Sequence, residues 1–214
     1  METVLVSARA PIAHPHDPNV RERLVEAAIE LFTKRGYAAT SVREIVEGAG
    51  VSKPVLYYHF GNKEGLYLEI TRRLERTVHE TLRGLGTGRG SARSRVRSLA
   101  LGIWDVFSEN TAAVRFLNAV FWGPPQGTPA FDFESLHQPL VAAFQSLAEN
   151  GAARKEFRKD AATTLSFALL GALSFAMDFH LAHPDQSPGR EGLARTLDLI
   201  LTGAARPRLR GASR

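Results

Sequence analysis

From Asn19 onward the apolar residues recur at steps of three and four, and no credible run alternates. Leu24, Ala28 and Leu31 make one i, i+4, i+7 ridge, and Val25, Ile29 and Phe32 make the next. Leu66, Ile70, Leu74, Val78 and Leu82 hold the four-residue step over five positions. That period lines one face of an α-helix, whereas a half-buried strand repeats every two residues. The predicted fold class is therefore all-α. A chain of 214 residues with 44% hydrophobic and 23% charged side chains can bury such ridges in one or two helical units.

The punctuation between ridges sets the helix ends. Asn19 is a candidate cap for a first helix that ends at Gly36, behind Lys34 and Arg35. Thr40 or Ser41 is a candidate N-cap for a second, short helix, with Glu44 three residues after Ser41 completing a capping box, and Gly50 ends it in a tight turn. Ser52 with Pro54 opens a third helix, and Asn62 and Lys63 open a long fourth one. Later helices are predicted from Ser91 through Phe107, Thr111 to Phe121, Phe133 to Glu149, Asp160 to His183 and Gly189 to Thr202. Residues 1–18 read as a mobile arm, 19–66 as the first domain, 67–205 as a second, and 206–214 as a basic tail.

Composition narrows the chemistry. The chain has no cysteine, so disulfides and thiolate metal sites are excluded, and a reducing, cytoplasmic setting is expected. The first residues have no basic start and only a short apolar run, Val4 to Val6, unlike a signal peptide. The net charge of +5 conceals a basic stretch: residues 71–97 carry eight arginines against two glutamates. A helix that begins at Lys63 rises about 1.5 Å per residue, which puts Arg93 and Arg97 too far along for a contact shared with Lys63. They are not assigned to DNA.

The segment "GAGVSKPVLYYHFGNKEGLYLEI", Gly48 to Ile70, crowds aromatics into a short helix flanked by polar residues. Helix, glycine turn and second helix make a helix-turn-helix. If Val51, Leu56 and Phe60 face inward, then Lys53, Val55, Tyr57, Tyr58 and His59 form a surface that suits a major groove, with Lys53 and Val55 reading bases. "AATSVREIVEGAGVSKPVLYYHFGNKEGL" resembles the DNA-binding segment of the TetR family of transcriptional regulators over about Val20 to Ile70. The resemblance implies an N-terminal DNA-binding domain, a larger helical ligand-binding domain, homodimerisation, and release from a palindromic operator on double-stranded DNA when a small molecule binds. It carries family roles onto Thr40, the turn glycine Gly50, Tyr57, the aromatic pair His59 and Phe60, and the phosphate-binding Lys63. Ser41, Arg43, Ser52 and Pro54 complete the expected DNA-binding set. Val46 and Gly48 depart from the family pattern, in which small alanines are usual in the second helix.

The second domain offers a pocket and an interface. Trp104, Phe107, Phe116, Phe121 and Trp122, joined by Phe144 and Phe175, suggest a site for a hydrophobic or aromatic effector. Asn118, His137 and Gln138 are candidate polar groups there, and "GPPQGTP" is a candidate lid. Residues 161–177 carry no charge. This stretch falls short of a membrane span, so its second face is expected to meet another subunit. Ala168, Gly171 and Ala172 on that helix, with Leu193, Leu197, Ile200 and Leu201 on the last, form the expected dimer interface. Asp178, His180, His183 and Asp185 match no metalloenzyme spacing, and no catalytic residue, metal or cofactor is assigned. A helical small-molecule binding protein with a vestigial helix-turn-helix is the alternative reading.

Overall fold

The computed structural model describes residues 18–86, 90–122 and 127–205, except the side chains of residues 85, 86 and 122. The arm up to residue 17, the basic tail, most of "GPPQGTP" and the Trp122 side chain lie outside the described residues. Described regular structure is helical: α1 Val20–Arg35, α2 Val42–Gly48, α3 Lys53–Phe60, α4 Lys63–Gly86, α5 Ala92–Glu109, α6 Thr111–Trp122, α7 Phe133–Ala153, α8 Ala162–Ala182 and α9 Gly189–Ala204. To these are added one 3-10 turn, Pro184–Gln186, and an isolated bridge between Phe157 and Ala205.

The caps explain why the helices start where they do. The Ser41 hydroxyl accepts from the Glu44 N–H, while the Glu44 carboxylate accepts from the Ser41 N–H at 2.8 Å. Ser91 caps α5 through the Ser94 N–H, and Asp132 caps α7 through the N–H groups of Glu134 and Ser135. Gly50, at φ 65°, makes the turn between α2 and α3, a conformation that costs a side-chain-bearing residue energy.

The chain divides into two units. The first comprises the residues up to Arg73 together with Ala112–Phe131. The return of the latter segment differs from a boundary at residue 66. Its core takes Leu24, Ala28 and Phe32 from α1, Ile45 and Val46 from α2, Val55 and Leu56 from α3, Leu66, Tyr67 and Ile70 from α4, and Phe116 from α6, all buried. Phe116 meets Phe32 and Tyr67 at ring centroid distances of 5.9 and 5.4 Å. Gly48 lies against Ala27, and a Cβ there would sit 3.4 Å from that of Ala27. Arg73 of α4 grips Glu22 of α1 through two bonds of 2.6 and 2.9 Å. It also bonds Glu69, which Arg21 reaches from α1.

The second unit holds Leu74–Thr111 and the chain from Asp132 onward. Here α8 packs against α7, α9 and α5, and α5 also meets α7 and α9. Leu165, Leu169, Leu173 and Leu181 form the buried side of α8, and Leu193, Leu197 and Leu201 that of α9. Arg93 and Arg97 are drawn to Asp198 on α9, and Arg93 also donates to the Thr202 hydroxyl. The α9 stripe expected to meet a partner is thus spent inside its own protomer, with Leu197 and Leu201 fully buried and only Ile200 half-buried. An i, i+4, i+8 ridge is apolar for either purpose, and here α8 and α5 cover it. What stays uncovered is the other face: Phe167 (81% exposed) and Phe175 (70%) flank the exposed Gly171 on α8, with Ala168 and Ala172 half-buried, and Leu199 (75%) stands out from α9. Among the described residues α8 is the one helix long and apolar enough to cross a membrane; its buried side is the leucine row.

Candidate nucleic-acid interface

On α3 the i, i+4 rows decide which side chains are presented. Lys53 and Tyr57 share one row and Pro54 and Tyr58 the next, and all four are exposed, Tyr57 at 48% and Tyr58 at 69%. Val55 falls in the row of Val51, and both are buried. The expectation that Val55 reads a base is therefore corrected: its side chain belongs to the core with Leu56. Phe60 is only half-buried, with the Arg21 guanidinium 5.4 Å from its ring centre. His59 is half-buried, packed edge-on to Tyr58 at 5.1 Å, and its Nε2 finds no hydrogen-bond partner among the described residues.

Around this face, Ser41 and Arg43 are exposed and Ser52 is half-buried at the α3 N-cap. Arg43 pairs with Glu47 at 2.7 Å, Lys34 with Glu30 and Arg35 with Glu44, so these cations are already matched by carboxylates. Lys53 makes no ion pair among the described residues.

Two further positions of the expected DNA-binding set have partners inside the protomer. Thr40 is 1% exposed, and its hydroxyl donates to the Gly36 carbonyl at 2.8 Å, so it closes the turn after α1 and is not turned to solvent. The Lys63 ammonium donates to the carbonyls of Tyr37 and Thr40, each at 2.8 Å, and lies 4.1 Å from the centre of the Tyr37 ring. Burial lowers its pKa from the ordinary lysine value. The Lys63 arrangement was not legible in sequence, because the carbonyls that hold it are more than twenty residues away.

The residues expected to line one effector site belong to both units, and the Trp122 side chain lies outside the described residues. Phe116 is a core residue of the first unit, against Phe32 and Tyr67. Trp104 and Phe107 are buried in the second unit and pack on each other at 5.3 Å. Phe144 is also buried there, while Phe121 (42%) and Phe175 are exposed. His137 and Gln138 lie exposed on α7. His180, grouped in sequence with Asp178, His183 and Asp185 as a metal-type residue, lies instead against two of these aromatics. Its ring meets Trp104 at 5.4 Å and Phe107 at 5.9 Å, edge to face, and its buried Nδ1 has no hydrogen-bond partner among the described residues. No group of three or more His, Cys, Asp or Glu suited to a metal occurs among the described residues. An open groove of about 450 Å³ lies in the first unit, lined by Arg23, Glu26, Glu30 and Glu44 among others, and none of these aromatics lines it.

Residues 24–70 match the family model of bacterial regulatory proteins of the tetR family. The HTH-type transcriptional activator FasR of Mycolicibacterium smegmatis is 37% identical over 124 residues, 58% of this chain and 50% of that protein. The HTH-type transcriptional repressor NicS of Pseudomonas putida is 23% identical over 158 residues, 72% of this chain and 74% of that protein. The match thus spans half the length of FasR and about three quarters of NicS. Among solved structures, the TetR family transcriptional regulator PfmR from Thermus thermophilus superposes with a TM-score of 0.68 at 26% identity, covering 86% of this chain and all of that one.

Proposed function

We propose, from the match of residues 24–70 to the tetR family of bacterial regulatory proteins and the likeness to PfmR, that the chain is a cytoplasmic regulator of that family, a repressor that binds a palindromic operator as a homodimer and leaves it when a small hydrophobic or aromatic effector binds. The observation that carries the DNA part is the outer face of α3, where Lys53, Pro54, Tyr57 and Tyr58 stand exposed just after the Gly50 turn while Val55 and Leu56 anchor the helix from behind. In this reading Lys53 donates to guanine O6 or N7, the two tyrosines hold phosphate or sugar, and Ser41, Arg43, Ser52 and His59 lie at the rim.

The second copy is proposed to sit on the face of α8 and α9 that carries Phe167, Gly171, Phe175 and Leu199. Exposed aromatics around a small residue are costly in water, and a two-fold axis makes each contact twice. The effector is assigned to the second unit beside Trp104, Phe107 and His180, where the unpartnered Nδ1 would meet a polar group on an otherwise apolar ligand.

Selection of DNA fragments bound by the full chain tests the reading. A two-fold site should emerge, and Lys53→Ala should relax base preference symmetrically in both half-sites, by about 1–3 kcal/mol per contact. Recovery of no fragment above background would refute it.

A further inference from the structure

We propose that Arg21 is a positioning residue for α3: it holds the C-terminal end of that helix through Phe60, and an ionic lattice between α1 and α4 holds Arg21 in turn. The inference rests on the reading of α3 as the helix that meets DNA, and it adds residues behind that helix to the site. Phe60 is the last residue of α3, and it is only half-buried. The Arg21 guanidinium carbon lies 5.4 Å from the centre of its ring, within the range of a cation–π contact. The same guanidinium pairs with the Glu69 carboxylate at 2.9 Å, so one planar group on α1 meets both α3 and α4. Arg73, one turn further along α4, donates to Glu69 at 2.9 Å and to the two oxygens of Glu22 at 2.6 and 2.9 Å. Signs alternate through Arg21, Glu69, Arg73 and Glu22, and two neighbours on α1 thereby meet an i, i+4 pair on α4. Such a lattice fixes the register of α1 against α4. On α3 itself, Val55 and Leu56 anchor the middle of an eight-residue helix. A helix held only there is free to pivot, and Lys53 and Tyr57 would swing with it. The grip on Phe60 removes that freedom.

A contact to phosphate and a hold on α3 leave different marks. A phosphate contact supports every sequence, and its loss lowers the slope of log K against log salt by about 0.9 per contact. A hold on α3 acts on the fit to base edges, so its loss lowers the ratio of operator affinity to scrambled-duplex affinity and leaves the slope alone. Glu69 separates the two roles. A carboxylate repels phosphate, so removing its charge strengthens binding to all DNA alike unless its task is to fix Arg21.

The test uses the full chain, the operator obtained by selection and a scrambled duplex of the same length. Both affinities are measured between about 50 and 200 mM salt for the unmodified protein, Arg21→Gln, Glu69→Gln, Phe60→Leu and the double variant of Arg21 and Phe60. Hydrogen exchange is followed in parallel at Gly61, whose N–H donates to the Tyr57 carbonyl at the end of α3. Each single variant is expected to lower the affinity ratio about fivefold, with an unchanged slope and faster exchange at Gly61. The double variant should lose no more than the worse single one, because both changes break one contact. An unchanged ratio for Glu69→Gln, strictly additive losses, or a slope smaller by about two per dimer for Arg21→Gln overturns the proposal. If Arg21→Gln does not fold, Glu69→Gln and Phe60→Leu decide by the same ratio: a fall supports the hold, and no change overturns it. Should the unmodified protein select no DNA, the regulator reading fails, while Gly61 exchange in the variants still judges the hold, faster exchange supporting it and unchanged exchange overturning it.

Discussion

The exposed rings of α8 set a quantitative expectation for assembly. Phe175 is 70% exposed in the protomer, and an aromatic side chain of about 200 Å² thus leaves about 140 Å² in water. A two-fold interface covers that area twice, and at about 25 cal/mol per Å² the gross gain is about 7 kcal/mol. Part of it is lost to ordering and imperfect fit. If a third is realised, Phe175→Ser weakens dimerisation by about 2.3 kcal/mol, or about 50-fold in dissociation constant. Sedimentation equilibrium across nanomolar to micromolar concentrations reads this directly. Leu197→Ala is the contrast: Leu197 is fully buried inside the protomer, so its truncation should cost about 2–5 kcal/mol of folding stability and leave the dimer constant of the folded protein near its original value. A monomeric parent protein at micromolar concentration, or a Phe175→Ser dimer as tight as the parent, would refute the assignment of this face.

Two other outcomes follow from packing and burial. A Cβ at Gly151 would come within 2.2 Å of the Phe157 ring and 2.8 Å of the Ala92 Cβ, and Phe157 is itself 2% exposed, so Gly151→Ala should destabilise by about 1–3 kcal/mol and lower the thermal midpoint by about 2–4 °C per kcal/mol. An unchanged melting curve would show that the ring has room to retreat. Burial, followed by the proximity of Tyr37, pushes the Tyr67 hydroxyl up to about 12 from its ordinary 10.0. Because the folded value is raised, the associated stability is fully present below the unfolded pKa and is lost as pH rises through about 12. Alkaline absorbance titration should show a last tyrosinate step that Tyr67→Phe removes, and loss of an early step instead would contradict the burial.

Helix ends were legible because they are local chemistry. The Ser41 and Glu44 box, the Gly50 turn and the Ser91 cap all lie within a few residues of the ends they set, and the structure has each of them. Orientation was less legible. In an eight-residue helix such as α3, Leu56 with Phe60 and Val55 with Leu56 are both plausible inward pairs, and the fold buries the second while leaving Phe60 half-buried. The α9 stripe met the same ambiguity, since a leucine row does not reveal whether its own α8 or a partner covers it. The ligation of Lys63 and the pairing of His180 with Trp104 and Phe107 depend on residues distant in the chain, which periodicity cannot bring together.

The return of Ala112–Phe131 to the first unit has a consequence for how the protein is made. Synthesis delivers α1 to α4 first, yet Phe32 and Tyr67 wait for Phe116 to cover their rings. Until that residue leaves the ribosome, the nascent DNA-binding unit carries an uncovered aromatic patch, and its final packing belongs to a later moment of translation. Exchanging this headpiece between relatives by cutting after α4 would likewise leave its core without Phe116, so the natural module for transplantation is the helical quartet plus the α6 segment that seals it.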